Sequence, residues 1–217
     1  MSCAICDQRK EKRFCPAVHG RICPQCCGEQ REVTLDCPSE CVYLRQARQH
    51  ERPRPVAELD TEALFPKVEI GDAFIYEQEP LILGLSYSLA RSARSGRSIG
   101  DSDLIAALTA LVRSYETLAN SGLHYDAPIT NLAHQAIAAD IQQMVKEYRE
   151  TEQKHTGYTR LRDSDVLRAL VFLLRMGLTR TSGRPRSRAF VDFLLAQFPE
   201  RESTIAAPNE ASRIVVP

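Results

Sequence analysis

Several features that mark common protein classes are missing from this sequence. Tryptophan is absent, and 28 lysines and arginines balance 28 aspartates and glutamates, so the formal net charge is zero. Bulk charge therefore argues neither for nor against a nucleic-acid partner. The longest apolar runs, 81–90 and 170–178, are too short or too interrupted to span a bilayer. The opening MSCAICDQRKEKR has no apolar segment with a cleavage site, which predicts a cytoplasmic protein without a signal peptide.

Cysteine is missing from the whole chain beyond residue 41, although eight cysteines precede that point. Two C-x2-C pairs and one C-x3-C pair have the spacing that tetrahedral zinc uses. A segment of this size buries too little apolar surface to fold unaided, and structural zinc contributes on the order of 10 kcal/mol. We therefore predict a module that binds two zinc ions. Its ligands would be Cys3, Cys6, Cys15, Cys23, Cys26, Cys27, Cys37 and Cys41.

Other uses of the cysteines are less well supported. Disulfides require an oxidising compartment, which the N-terminus does not suggest. A thioredoxin-like C-x-x-C motif belongs in an α/β fold, and no such pattern follows. An iron–sulfur cluster is the remaining alternative, because four thiolates also bind iron. Cys27 could also be a small buried residue or a reactive free thiol.

The residues around the cysteines predict local structure. In CPQCCGEQR, Pro24 stiffens a turn between Cys23 and Cys26, and we expect Gly28 to adopt a left-handed backbone. The alternation in 31–35 predicts a short strand or hairpin arm. Pro38 suits the first position of a helix, which would make Cys37 the cap and place Cys41 in the first turn. Knuckle, hairpin and helix in this order are typical of a treble clef.

The order and spacing of the cysteines resemble those of cross-brace double-zinc modules such as B-boxes and FYVE-type domains. That resemblance implies that the first and third ligand pairs, Cys3 with Cys6 and Cys23 with Cys26, share one zinc ion. The second site would take Cys15, Cys37, Cys41 and one further ligand. His19 gives a C-x3-H pair with Cys15, whereas Cys27 gives two all-thiolate sites, and we favour Cys27.

Helical periodicity dominates the rest of the chain. Helices are predicted over Asp72 to about Ala93, from Asp101 to Gly122, after Thr130, from Asp163, and from Pro185 to Phe198. The segment after Asp163 is apolar on nearly all sides, which predicts a central position.

The predicted fold class is therefore mainly α, with a small N-terminal zinc-stabilised module followed by an all-α bundle. The module spans residues 1–50, and a proline-containing linker spans 51–70. The α-helical domain spans 71–200, and 201–217 form a flexible tail.

Catalytic motifs of the common kinds are absent: the sequence contains no HExxH, P-loop, GxGxxG or GxSxG. Enzymatic activity is therefore not predicted. The best candidates for a different function are Arg180, Arg184, Arg186 and Arg188, in a region without an acid between Asp165 and Asp192. Such arginines could neutralise phosphates, and Gly183-Arg184-Pro185 resembles the core of an AT-hook. A solvated turn before a helix would explain the same residues.

Over its full length the chain resembles a family of uncharacterised bacterial proteins. The shared features are CPxCCG-x2-R at 23–31, C-P-x2-C-x-Y-L at 37–44 and GRP-x-(S/G)-RAF-x-DF at 183–193. This resemblance implies an architecture and no activity. We expect a non-enzymatic zinc-binding adaptor that binds a protein partner, or alternatively a regulatory nucleic-acid-binding protein that uses the arginines at 175–188. Membrane association is not expected, and the sequence does not specify an oligomeric state.

Overall fold

A computed structural model describes residues 1–51, 54–96 and 98–199. The predicted tail, residues 201–217, lies outside the described residues, as do Arg52 and Pro53 of the predicted linker. Within the described part of the chain, no helix is both long and apolar enough to cross a membrane.

The cysteine-rich segment contains a two-stranded antiparallel sheet and two short helices. Strand β1 (Arg13–Cys15) pairs with strand β2 (Gly20–Ile22), with Arg13 opposite Ile22 and Cys15 opposite Gly20. Helix α1 (Pro24–Gln30) and helix α2 (Val42–His50) follow. The antiparallel register places Arg13, at the start of β1, beside Ile22, where the chain leaves β2 and enters α1.

Three local predictions for this segment are wrong. Gly28 lies within α1, where its backbone is helical instead of left-handed. Residues 31–35 form a turn closed by a single bridge between Arg31 and Leu35, because Glu32 takes the left-handed backbone (φ 53°) that interrupts a strand. The cap of α2 is Cys41, and Cys37 precedes a separate turn in which the Cys41 N–H donates to the Pro38 carbonyl at 2.9 Å.

The rest of the described chain is helical apart from its connections. Two single 3-10 turns at Val56–Glu58 and Glu62–Leu64 precede the bundle. The bundle consists of α3 (Asp72–Glu77), α4 (Glu79–Ser95), α5 (Asp101–Ser121), α6 (Leu132–Thr156), α7 (Asp163–Arg180) and α8 (Ala189–Gln197). The predicted starts at Asp72, Asp101 and Asp163 are confirmed, and Gly122 ends α5 in a left-handed conformation.

Helix α7 is the centre of the bundle, as its apolar surface predicts. It packs against α4, α5 and α8, and its closest partner is α5. Phe190 of α8 lies so close to Gly177 that a Cβ on the glycine would be 3.0 Å from the ring. On another side of α7, Arg175 donates to the carbonyls of Leu64, Phe65 and Val68, each at 2.8 Å. This arginine therefore fastens the 54–70 segment to the bundle.

The last helix begins four residues later than predicted. Residues 182–188 form a turn in which the Ser187 N–H donates to the Arg184 carbonyl at 3.0 Å, and Ala189 begins α8. The buried carboxylate of Asp101 stabilises this start. It accepts from the Ser187 hydroxyl at 2.7 Å and from the N–H groups of Phe190 and Val191 at 3.0 Å. One carboxylate thereby joins the beginnings of α5 and α8.

The cysteine-rich segment rests on the bundle through a buried polar network centred on Glu32. The Glu32 side chain is 1% exposed and accepts from Arg48 at 2.7 Å and from the Ser182 hydroxyl at 3.2 Å. Its backbone carbonyl accepts from the Arg186 N–H at 2.8 Å. Arg48 also pairs with Asp192 of α8. Module and bundle are thus joined by charges and hydrogen bonds.

Replacing Asp101 with alanine leaves three donors without their acceptor in a buried position. We expect Asp101→Ala to lower the free energy of unfolding by about 2–4 kcal/mol, measured by urea denaturation. The matched control is Ser102→Ala, at the exposed neighbouring position, which should change stability by less than about 0.5 kcal/mol. Equal midpoints for the two variants would contradict this role of Asp101.

Candidate metal centre

Four cysteines from two separate parts of the chain come together at the N-terminus. The sulfurs of Cys3, Cys6, Cys23 and Cys26 all lie within 4.8 Å of one another. Cys3, Cys23 and Cys26 are buried, and Cys6 is half-buried. The same four residues were assigned to one site by the resemblance to cross-brace modules. We call them the first thiol cluster.

Backbone geometry positions these sulfurs. Cys23 is the N-cap of α1, and its sulfur accepts from the Cys26 N–H at 3.4 Å. The Cys3 sulfur accepts from the Cys23 N–H at 3.2 Å, which joins the two C-x2-C pairs directly. The first pair is held in turn by the hairpin, because the Ala4 N–H donates to the Arg21 carbonyl at 3.0 Å.

The pKa values of two thiols in the first thiol cluster are shifted in opposite directions. Burial raises the pKa of the Cys3 thiol, but hydrogen bonds, the strongest from the Cys23 N–H, outweigh burial and lower that pKa to about 6. Burial and the hydrogen bonds shared with three neighbouring thiols raise the pKa of Cys26 to about 12. Negative charge on one sulfur thus opposes ionisation of the next. A divalent cation removes that conflict, because it stabilises every thiolate around it.

The arrangement fits a single tetrahedral metal ion. Zinc–sulfur bonds of about 2.3 Å place ligating sulfurs about 3.8 Å apart, close to the spacing in the first thiol cluster. An iron–sulfur cluster inserts several iron and sulfide ions among its thiolates and would hold them farther apart. All eight cysteines are free thiols, so disulfides do not compete for these sulfurs.

The other four cysteines border a separate pocket. Cys15, Cys27, Cys37 and Cys41 line one pocket together with the apolar residues Ile22 and Leu44. Burial, and to a smaller degree the proximity of Cys15 and Cys41, raises the pKa of Cys37. Among the described residues, the sulfurs of the first thiol cluster lie close enough together to bind one metal ion. The sulfurs of the other four cysteines lie farther apart. We call these four residues the second thiol group.

His19 and Cys27 occupy different environments. Cys27 is buried among the second thiol group, so the adjacent cysteines 26 and 27 face different sulfur groups. His19 lies at the tip of the hairpin, exposed, with a left-handed backbone (φ 49°), and it does not line this pocket.

Each sulfur group has an arginine beside it. Interaction with the sulfurs, chiefly a hydrogen bond to Cys23, raises the pKa of Arg9 at the first thiol cluster. At the second thiol group, the Arg13 guanidinium donates to the Cys27 sulfur at 3.6 Å and lies 4.6 Å from the centre of the Tyr43 ring. Guanidinium donors favour ionised sulfur, which is the form that binds metal.

The four arginines proposed to bind nucleic acid have different environments. Arg184 donates to the Arg31 carbonyl at 2.9 Å, and Arg188 donates to the Ile99 carbonyl. Arg180 stacks on the Phe193 ring, with 3.6 Å between its guanidinium carbon and the ring centre. Arg186 is exposed. Gly183 has φ 73° and begins a compact turn, whereas an AT-hook core is extended in the minor groove.

Sequence reasoning missed the buried polar network that joins the cysteine-rich segment to the bundle. We call this network, in which Glu32 and Arg48 contact Ser182, Arg186 and Asp192, the docking network. Glu32 and Arg48 carry no local signal of burial, because their partners Ser182 and Asp192 are more than 140 residues away. The left-handed backbone of Glu32 is equally invisible in REVTL, which alternates as a strand does.

Comparison with known proteins adds no further information on the site. A scan against protein-family models, a search of curated proteins and a search of solved structures each found no match. The resemblance to a bacterial family therefore stays a prediction.

Removing one sulfur of the first thiol cluster should remove its metal ion. We expect Cys26→Ser to contain one metal ion fewer per chain than the unaltered protein, measured by elemental analysis of protein purified under reducing conditions, because serine is a poor zinc ligand. Gln25→Ser is the matched control, since Gln25 is exposed between two ligands and should retain the metal. Equal metal content in both variants would exclude this cluster as the site.

Proposed function

We propose that this chain is a non-enzymatic, zinc-binding interaction protein of the cytoplasm. Its cysteine-rich module holds two zinc ions and presents a surface to a protein partner, and the helical bundle is the scaffold on which the module rests. The observation that carries the proposal is the first thiol cluster, which joins both ends of the β-hairpin to α1. A metal ion there would stiffen a small arm that has little apolar core of its own.

The second ion would be bound by the second thiol group. Cys15, Cys27, Cys37 and Cys41 supply four sulfurs around one pocket, the number that tetrahedral zinc requires. The backbone around this pocket is held from several sides: by the hairpin, by α1 and by the N-cap of α2. Cys27 completes this set more simply than His19, which would have to leave the hairpin tip.

Native mass spectrometry of the reduced protein should therefore detect two zinc ions per chain. Cys27→Ser should lose one ion, because it removes a ligand of the second site, while His19→Ala should keep both. The two variants form a matched pair that decides between the candidate ligands. One ion in the unaltered protein would refute the second site, and loss of an ion from His19→Ala alone would assign the ligand to His19.

Exposed apolar side chains on the hairpin support a protein partner. Phe14 is 57% exposed on β1, and Val18 is 38% exposed in the turn before β2. Both lie on the arm that the first thiol cluster holds in place. An exposed aromatic side chain on a rigid arm suits the anchor of a protein interface, where such residues contribute much of the binding energy.

The partner hypothesis is tested by affinity capture from cell extract, identification of the bound protein and titration with both components purified. Phe14→Ser should weaken the purified complex at least about tenfold while leaving metal content and thermal unfolding unchanged. Tyr76→Ser is the control, since Tyr76 is also highly exposed but lies on α3. Failure of every purified candidate to bind, or equal weakening by both variants, would count against the hairpin as the binding surface.

Nucleic-acid binding is the second candidate, and the exposure of Arg186 beside Arg180, Arg184 and Arg188 favours it. Phosphate contacts of this kind make affinity fall steeply with salt. A gel shift at low salt that disappears in Arg186→Gln would support this candidate. Absence of any shift at low salt would refute it.

A further inference from the structure

A basic pocket lies where the cysteine-rich module meets the helical bundle. Its volume is about 400 Å³, within the range of small-molecule sites. One wall comes from the end of α2 together with Glu51 and Arg54, and the other comes from the end of α7 and the turn before α8. The lining residues are Arg48, Glu51, Arg54, Arg180, Thr181, Ser182, Arg184 and Ala189.

Positive charge in this pocket is only partly compensated. Four guanidinium groups line it, and Glu51 is the one acid among the described lining residues. Arg48 is neutralised by Glu32 and Asp192. Within the described part of the chain, by contrast, Arg54, Arg180 and Arg184 form no ion pair with a carboxylate. Like charges gathered in one cleft raise the local concentration of anions.

Three of the four guanidinium groups are held in place before any ligand arrives. Arg48 is fixed by two carboxylates, Arg180 by stacking on Phe193, and Arg184 by its hydrogen bond to the Arg31 carbonyl. The Arg54 N–H donates to the Thr179 carbonyl at 3.1 Å, which positions the start of its side chain. Because three of these guanidinium groups are already ordered, binding of a ligand to them costs less conformational entropy.

Gly183 leaves room for one of these arginines. Its left-handed backbone turns the chain after α7, and a Cβ there would lie 3.2 Å from an Arg54 terminal nitrogen. Any other residue would be strained and would press on Arg54. The glycine therefore shapes both the turn and the space beside the guanidinium group.

We propose that this pocket binds a compact anion carrying two or more phosphate groups. The guanidinium fork matches phosphate oxygens in geometry and charge, and three unpaired arginines exceed what a single carboxylate would neutralise. The concave shape favours a small ligand over a nucleic-acid strand. Arg186, the exposed arginine of the turn, does not line the pocket, and Arg188 is directed to the Ile99 carbonyl.

Calorimetric titration of the full-length protein with inorganic pyrophosphate at low ionic strength tests the proposal. We expect one site with a Kd below about 1 mM, weakened about tenfold or more in each of Arg54→Gln and Arg180→Gln. Arg45→Gln is the matched control, because Arg45 is exposed on α2 outside the pocket, and it should bind as the unaltered protein does. Extraction of bound metal by pyrophosphate would affect all variants equally.

Thermal unfolding of each variant shows whether it remains folded. Arg54→Lys provides a second test, because lysine keeps the positive charge but lacks the paired N–H donors of the guanidinium group. This variant should bind with intermediate affinity. No measurable binding, or equal weakening by Arg45→Gln, would overturn the proposal. It would also be overturned if a short single-stranded oligonucleotide bound through Arg186 while pyrophosphate did not, since the arginines would then be an open nucleic-acid surface.

Discussion

A carboxylate removed from water must find cations or hydrogen-bond donors, and Glu32 satisfies this requirement at the boundary between the two parts of the molecule. Its side chain is almost fully buried, and it receives the Arg48 guanidinium and the Ser182 hydroxyl. The left-handed backbone at Glu32 costs about 1 kcal/mol for a residue other than glycine. That strain is tolerated because the conformation directs the carboxylate and the carbonyl toward partners on the bundle. Loss of Arg48 would leave this buried charge without a cation.

Glu32 also connects the docking network to the cysteines. Its N–H group donates to the Cys37 sulfur and opposes the rise in the pKa of that thiol that burial causes. Its carbonyl accepts from Arg186, and its side chain holds Arg48, which lines the basic pocket. One residue therefore contacts the second thiol group, the turn before α8 and a wall of the pocket.

Patterns formed by nearby residues could be predicted, whereas those formed across the chain could not. The spacing of Cys3, Cys6, Cys23 and Cys26 indicated ligand pairs, and these sulfurs do lie together. Helix starts at Asp101 and Asp163 followed from an acidic residue before an apolar stripe. The strand predicted at 31–35 failed because burial of Glu32, set by residues 150 positions away, overrode the local alternation. Pro185 likewise suggested a helix start. The helix instead begins at Ala189, where the Asp101 carboxylate accepts hydrogen bonds from Ser187 and from the first turn of α8. The basic pocket could be predicted only in part, because Arg180 and Arg184 belong to the arginine-rich region near the end of α7, whereas Arg48 and Arg54 come from a distant segment.

The wide separation of the docking partners also orders events during synthesis. All eight thiols lie within the first 41 residues, so both sulfur groups can assemble soon after this segment leaves the ribosome. The contacts of Ser39 and Arg48 with Asp192 span 153 and 144 residues and must wait until α8 has been made. Until then, Glu32 and Arg48 face solvent or each other. The nascent chain can complete this joint only after α8 has emerged.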